Sequence, residues 1–324
     1  MDPFGRKVDY LRISVTDRCN ERCLYCMPEG YKGWETKPDH LTADEIIRVV
    51  HAAAELGFRK FRLTGGEPLM RDDLTQIISR MTKIHGVECV GLSTNGMKLA
   101  GSAPSLRSAG LRTVNVSLDA LDPEIYRRIT GGDITKVLAG IRAAVTAGFE
   151  RIKLNCVLMR GVNEHELWPL ALFAAEHDLP LRLIELMPLT TTEVLTEKHF
   201  LPCGEAMQML AQKDELIPQP DRKLGHGPAK YYLLKQTGAL IGFIGAMTNE
   251  HFCEQCNKMR LTADGKVRPC LGNHIEVDLR AALRHGADDK TVKELLEIAL
   301  RLKPLEHQFR ANYQPCRPMT AIGG

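Results

Sequence analysis

The sequence predicts an α/β protein: an incomplete TIM-like barrel of six βα units, followed by a smaller α+β segment. Three observations carry this. Six short runs with strand periodicity alternate with helical runs, which argues for a parallel sheet with right-handed crossovers. Several of the strands carry a cation on a polar face opposite an apolar one. The alternation then stops after Met187. Six units fall short of the eight of a full barrel, and an open doubly wound sheet is the alternative.

The elements follow in order. Leu11–Thr16 alternates as a strand. Thr42-Ala43-Asp44-Glu45 is a capping-box pattern opening a helix to about Leu56, with Gly57 to end it. A second strand, Lys60–Thr64, is broken by Gly65-Gly66-Glu67-Pro68, and a helix is expected near 72–84. Further strands are expected at 88–93, 113–118, 151–158 and 181–187. The helices between them are expected at 103–109, at 123–147 in two pieces, and at 164–177. Beyond Met187, prolines punctuate the chain. Runs 229–235 and 240–244 read as a hairpin around Thr237-Gly238. Helices are expected at 277–285 and 290–302, then a loop-like tail to Gly323-Gly324. The expected division is 1–220 for the partial barrel and 221–324 for the C-terminal segment.

Strand side chains alternate faces. Leu11, Ile13 and Val15 oppose Arg12, Ser14 and Thr16. Phe61 and Leu63 oppose Arg62, Ile152 and Leu154 oppose Lys153, and Leu181 and Leu183 flank Arg182. Helices must cover the apolar face of a βα barrel, so the polar face looks inward. Four cations then converge: Arg12, Arg62, Lys153 and Arg182. Burying unpaired cations costs several kcal/mol each, on the order of magnitude. Either Asp119, Glu67 and Glu185 pair with them, or a polyanionic ligand does, most simply a di- or triphosphate held by arginine forks. Gly65-Gly66 is too short to cradle a triphosphate, but at a strand's C-terminal end it allows close backbone approach to a small ligand.

Cysteines form two triplets. Cys19, Cys23 and Cys26 have C-x₃-C-x₂-C spacing on the loop leaving the first strand. Three thiolates can hold three irons of a four-iron cluster and leave the fourth iron open, whereas electron-transfer clusters use four cysteines. Structural zinc needs four ligands, and no His or further Cys lies near Cys26. Cys253, Cys256 and Cys270 form C-x₂-C-x₁₃-C. Spacing leaves this second group open between iron–sulfur and a zinc site completed by His274. Lys258 and Arg260 lie between its cysteines and suit an anionic substrate. His226 and His251 read as ordinary polar residues. Cys89, Cys156, Cys203 and Cys316 read as structural.

The chain has 324 residues, 44% hydrophobic and 26% charged, with a net charge of +3. Such a charge gives no global attraction to nucleic acid or membrane. There is no signal peptide or long apolar run, so the expected location is the cytoplasm. The ten cysteines then point to metal binding rather than disulfides.

The first triplet, with aromatic Tyr25 before its last cysteine, resembles the radical S-adenosylmethionine (SAM) superfamily. Further motifs are Leu11–Asn20, Thr64–Arg71, Ser93-Thr94-Asn95-Gly96, Asn115–Ala120, the second triplet and the terminal Gly-Gly. Together they resemble the GTP 3′,8-cyclase family, also called molybdenum cofactor biosynthesis protein A, over nearly the whole chain. That resemblance implies the radical SAM type of (βα)₆ barrel with the C-terminal domain closing its open side. It implies two [4Fe–4S] clusters: Cys19, Cys23 and Cys26 hold the one that binds SAM, and Cys253, Cys256 and Cys270 hold one that meets the guanine of GTP. Tyr25, Gly66, Ser117 and Met187 are implied SAM contacts. Arg12, Arg62, Ser93, Lys153, Lys258, Met259 and Arg260 are implied GTP contacts. Arg182, Gly323 and Gly324 are implied catalytic residues. The implied chemistry is reductive cleavage of SAM, removal of the ribose 3′ hydrogen of GTP, and bonding of C3′ to C8 to give 3′,8-cyclo-7,8-dihydro-GTP, the first step of molybdenum cofactor biosynthesis. Implied partners are a low-potential reductant such as flavodoxin or ferredoxin, cyclic pyranopterin monophosphate synthase downstream, and a second copy of the chain. One departure is visible: the family has Arg-x-Arg where this chain has Lys258-Met259-Arg260, which keeps the charge and loses a planar fork.

Overall fold

The structure, a computed structural model, describes residues 1–27, 39–189, 197–222, 224–311 and 313–323. The first half alternates as expected. Strand β1 (Tyr10–Ser14) is followed by α1 (Ala43–Glu55), β2 (Lys60–Thr64), α2 (Leu74–Met81) and β3 (Cys89–Thr94). Next come α3 (Leu99–Ser108), β4 (Thr113–Ser117), α4 (Pro123–Thr130), α5 (Ile134–Thr146), β5 (Arg151–Leu158), α6 (Leu167–Glu176) and β6 (Leu181–Glu185). The capping box on α1 is formed: Glu45 N donates to Thr42 Oγ1 at 3.2 Å, and Thr42 N donates to Glu45 Oε2 at 2.7 Å. Helix α3 begins four residues earlier than expected and carries Pro104 inside it. Pro104 removes one helical N–H donor, yet the helix continues past it to Ser108.

The C-terminal half departs more from expectation. It contains α7 (Cys203–Ala211), β7 (Leu216–Pro218), β8 (Lys230–Leu234), β9 (Leu240–Ile244), β10 (Lys258–Leu261) and β11 (Lys266–Arg268). It ends with β12 (Val277–Asp278), α8 (Leu279–Arg284), α9 (Asp289–Arg301) and α10 (Met319–Ile322). The expected helix from Val277 is corrected: its first two residues pair with β11, and Asp278 caps α8 instead. The tail is not wholly loop, because it holds the short α10.

The twelve strands among the described residues form one sheet, ordered β12-β11-β10-β1-β2-β3-β4-β5-β6-β9-β8-β7. The eight from β10 to β9 are parallel throughout. The six expected parallel strands are thus extended by one on each edge, both from the C-terminal half. Residue 220 falls between β7 and β8, which pair antiparallel. The chain from β9 to β10 joins opposite edges of the eight-strand row, and Cys253 and Cys256 lie on that link.

The apolar strand face packs under the helices as expected. Leu11, Ile13, Phe61, Leu63, Val114, Val116, Leu154, Leu181 and Leu183 are buried in one core with residues of α1 to α6. Burial of each large aliphatic side chain contributes about 1.5–3 kcal/mol. A second small cluster, Leu189, Phe309 and Tyr313 with Met187, Leu271 and Met319, is separate from that core. Among the described residues, no helix is long and apolar enough to cross a membrane.

Candidate active site

The first cysteine loop is bolted to the loop after β2. Gly66 N donates to Thr16 O at 2.8 Å and Glu67 N to Arg18 O at 2.7 Å. A Cβ on Gly66 would come within 2.2 Å of Arg18 O. Its lack of a side chain therefore serves the close approach of the cysteine loop. Cys26 N and Met27 N both donate to Cys23 O, at 3.0 and 3.1 Å, closing a tight turn over the last two cysteines.

Three carboxyl groups surround this loop, each from one of the motifs. Glu67 accepts from Thr94 Oγ1 and Asn95 N, both at 2.7 Å, and from Leu69 N at 3.0 Å. Asp119 accepts from Tyr25 Oη at 2.7 Å and Val157 N at 2.8 Å. Glu21 accepts from Tyr126 Oη at 2.8 Å. Asn95 Nδ2 reaches Asn20 Oδ1 at 2.8 Å. Burial pushes Glu21 up to about 8, Glu67 to about 7 and Asp119 to about 6. Burial likewise pushes the Cys19, Cys23 and Cys26 thiols up, helped by Glu67 at Cys19 and by Glu21 at the other two. A cation brought here would favour every one of these anions.

The polar sheet face behaves oppositely. Arg12 is directly beside Arg62 on β2 and Arg260 on β10, on strands about 4.8 Å apart. Asn115 neighbours Lys153, and Asn155 neighbours Arg182. Arg62, Lys153 and Arg182 are all more than nine-tenths buried. Burial, then the charges of Arg182 and Arg62, bring Lys153 down to about 6. Burial, with Arg62 and Arg12 opposing its charge, brings Arg182 down to about 10. Cations on β1, β2, β5 and β6 thus feel one another across a shared interior.

The carboxylate alternative is now decided. Glu67 and Asp119 are held as above, and Glu185 accepts from Cys203 N, Met247 N and Thr248 N. Among the described residues, none of Arg12, Arg62, Lys153, Arg182, Lys258 and Arg260 makes a salt bridge. Among the described residues, the buried donors Arg12 Nε, Arg182 Nε and Ser93 Oγ have no hydrogen-bond partner. Donors and charge converge where an acceptor-rich anion would satisfy them.

Tyr10 also lines this interior, and sequence reasoning missed it. Arg62 Nε donates to its Oη at 2.6 Å, and Lys258 Nζ lies 5.6 Å from its ring centre. It shares a face with Arg12, so strand parity could have found it.

The second triplet is on the gap-spanning link and the loop after β11. Here the surroundings are basic. Lys303, missed in the sequence, places Nζ 3.4 Å from Cys256 Sγ. Burial pushes Cys253 and Cys270 up, whereas at Cys256 the neighbouring Lys303 and Lys258 outweigh burial and hold the thiol below its usual range. His274 is not turned to the triplet: its Nδ1 is 3.1 Å from Cys316 Sγ, and its ring stacks on Tyr313. Cys316 is exposed, which corrects its reading as a structural cysteine. Among the described residues, no three His, Cys, Asp or Glu side chains converge as ligands of a single ion.

Of the remaining expected site residues, Ser117 ends β4 and Met187 follows β6 beside the small apolar cluster. Met259 is buried in the core beneath β10, so its side chain points away from the cations. The C-terminal tail enters the interior. Gly323 is buried with φ of +85°, a Cβ there would lie 2.7 Å from Thr64 Cγ2, and its carbonyl accepts from Arg260 Nη1. Gly324 lies outside the described residues.

A model of the Radical SAM superfamily matches residues 13–174, and one described as Molybdenum Cofactor Synthesis C matches residues 179–309. The crystal structure of Streptococcus suis SuiB bound to S-adenosylmethionine has the same fold. It is 14% identical with a TM-score of 0.64, covering 86% of this chain and 66% of that one. The partial barrel and its cysteine loop are therefore those of a radical SAM enzyme.

Closer relatives narrow this. A GTP 3′,8-cyclase from Pelotomaculum thermopropionicum is 43% identical over 100% of this chain and 99% of its own length. One from Desulforamulus reducens is 40% identical over the full length of both. The chain belongs to the GTP 3′,8-cyclase family.

Proposed function

We propose that the protein converts GTP to 3′,8-cyclo-7,8-dihydro-GTP at the barrel interior, with SAM and two [4Fe–4S] clusters, as the entry step of molybdenum cofactor biosynthesis. The observation that carries the substrate assignment is the interior set of unpaired cations with orphaned Arg12 Nε, Arg182 Nε and Ser93 Oγ. A triphosphate supplies acceptors and charge for all of them.

Residues 1–220 hold the first cluster and SAM, and 221–324 hold the second cluster and close over the substrate. The donor sets fit. Cys19, Cys23 and Cys26 sit among buried carboxyl groups, which suits the sulfonium and ammonium charges of SAM beside a thiolate-bound cluster. Tyr25, Gly66, Ser117 and Met187 are the residues that would contact SAM. Cys253, Cys256 and Cys270 sit beside a buried ammonium, which suits a thiolate-bound anionic cluster. When bound, the first cluster and SAM supply a carbon radical able to take the ribose 3′ hydrogen.

The chain's own residues orient the reaction. Arg12, Arg62, Lys153, Lys258 and Arg260 bind the phosphates, and Ser93 adds a hydroxyl. Arg182 holds the reacting nucleotide from β6. Met259 contributes its backbone in β10. Gly323 and Gly324 bring backbone into the interior without side-chain bulk. Fixing C3′ against C8 turns ring closure into an intramolecular step. A low-potential flavodoxin or ferredoxin supplies electrons, and cyclic pyranopterin monophosphate synthase takes the product.

The test is anaerobic incubation with SAM, reductant and GTP. The expected result is 5′-deoxyadenosine formation that depends on GTP, with GTP consumed. Equal 5′-deoxyadenosine without GTP, or unconsumed GTP, would overturn the assignment.

A further inference from the structure

Lys303 follows α9 and is 3% exposed, the side chain of a charged residue placed inside the C-terminal half. Its ammonium has three donors, and each has a target. Nζ is 2.8 Å from Lys258 O, 2.8 Å from Pro269 O and 3.4 Å from Cys256 Sγ. The two carbonyls belong to the two segments that carry the second triplet: Lys258 follows Cys256 by two residues, and Pro269 precedes Cys270. Lys303 therefore ties both segments together at the sulfur itself.

Those carbonyls are dipoles and offer no full opposing charge. Among the described residues, Lys303 makes no salt bridge with any carboxylate. A buried ammonium left uncompensated costs several kcal/mol, on the order of magnitude. The group that can oppose it is the sulfur ligand of Cys256 and whatever that sulfur binds. The first triplet is set differently: among the described residues, Asn95 lies 4.0 Å from Cys19 Sγ and Glu21 3.9 Å from Cys23 Sγ.

We propose that Lys303 is a positioning residue that raises the reduction potential of the second cluster by holding a fixed positive charge against Cys256 Sγ. The proposal rests on the reading that this triplet carries an iron–sulfur cluster. Adding an electron to a thiolate-bound cluster increases its negative charge, and an adjacent cation stabilises that reduced form more than the oxidised one. Hydrogen bonds to the sulfurs and local charge are established controls of cluster potential. The second cluster therefore accepts an electron more readily than the first, whose sulfurs face carboxyl groups.

The experiment uses the full chain with Cys19, Cys23 and Cys26 all changed to Ala, so that only the second triplet can load. It is reconstituted anaerobically with iron and sulfide, assayed for bound iron, and titrated by EPR-monitored potentiometry. Lys303→Met, Lys303→Gln and Lys303→Arg are compared with that parent. The expected result is a lower midpoint in Lys303→Met and Lys303→Gln. The shift should be at least tenfold in the one-electron equilibrium constant, which is about 59 mV. Lys303→Arg should keep the parent midpoint. A loaded Lys303→Met with the parent midpoint overturns the proposal. Should Lys303→Met fail to load, Lys303→Gln against Lys303→Arg decides, and equal midpoints in those two overturn it. A parent that binds no iron overturns the cluster reading, and the proposal with it, before any Lys303 variant is made.

Discussion

The two cysteine triplets are chemically alike and electrostatically opposed. Each offers three thiols from loops that leave the sheet. Around Cys19, Cys23 and Cys26, three buried carboxyl groups, Glu21, Glu67 and Asp119, stand within the supporting loops. Around Cys256, Lys303 and Lys258 pull the thiol towards its anion. The lesson is that identical ligands can be assigned to different small molecules by their surroundings. On the proposed reading, the acidic setting suits the cationic sulfonium of SAM, and the basic one suits a cation-lined interior that would receive a triphosphate.

The largest expected effect comes from removing either triplet. Changing Cys19, Cys23 and Cys26 to Ala should abolish 5′-deoxyadenosine formation altogether while iron remains at the second triplet. Changing Cys253, Cys256 and Cys270 to Ala should leave slow SAM cleavage but no cyclised product. Iron content and chromatography of both products check this. If the second set of changes abolished SAM cleavage and the first did not, the two triplets would have exchanged roles.

Next in size is Arg182→Ala. Both triplets should load normally, and product formation should fall roughly 10²- to 10³-fold, the range for losing one preorganised electrostatic group. Wild-type turnover in that variant would break the interior-cation argument. Gly323→Ala should follow closely. The added methyl meets Thr64 and the residue needs a positive φ, so the tail must withdraw from Arg260. A misplacement of that kind costs about 10²-fold, visible in turnover with SAM binding unchanged.

These residues also show what the sequence could and could not reveal. Arg12, Arg62, Lys153 and Arg182 were legible because strand alternation is a property of neighbouring residues. The six βα units were legible for the same reason. Strands β10 and β11 were not, since both are short and Lys258–Leu261 gains its strand character by pairing with β1, some 250 residues away in the chain. Lys303 carried no local signal at all. It matters only because the fold brings it beside Cys256, 47 residues earlier. The motif residues Glu67, Asn95 and Asp119 were visible, but their work is to hold the first cysteine loop, a fact that only their hydrogen bonds disclose.

A smaller effect tests the interior by pH. Burial and neighbouring arginines put Lys153 at about 6 against an ordinary 10.5, so the free enzyme at neutral pH holds it largely uncharged. A bound triphosphate raises that value again by its charge. GTP binding should therefore take up protons, approaching one per site from Lys153 between about pH 6 and its raised value. Affinity should weaken as pH rises through that window, by at most tenfold per unit. Calorimetry in buffers of different ionisation enthalpy measures the uptake. Lys153→Met should remove this contribution, and unchanged uptake in that variant would detach Lys153 from the substrate.

The smallest expected effect concerns the departure at Lys258. Its ammonium donates to His226 O at 3.0 Å and Asn257 Oδ1 at 2.8 Å, leaving one donor for a ligand. Burial also lowers it to about 8, so its charge is lost as pH rises through that value. Lys258→Arg restores a planar fork and a charge that does not titrate in this range. GTP should bind roughly threefold more tightly near neutrality, well under the tenfold that 1.4 kcal/mol represents. The advantage should grow above about pH 8, where the lysine of the native chain discharges. SAM affinity should not move, because Lys258 stands with the second triplet. A change in SAM binding equal to that in GTP binding would mean that the two settings are not electrostatically separate.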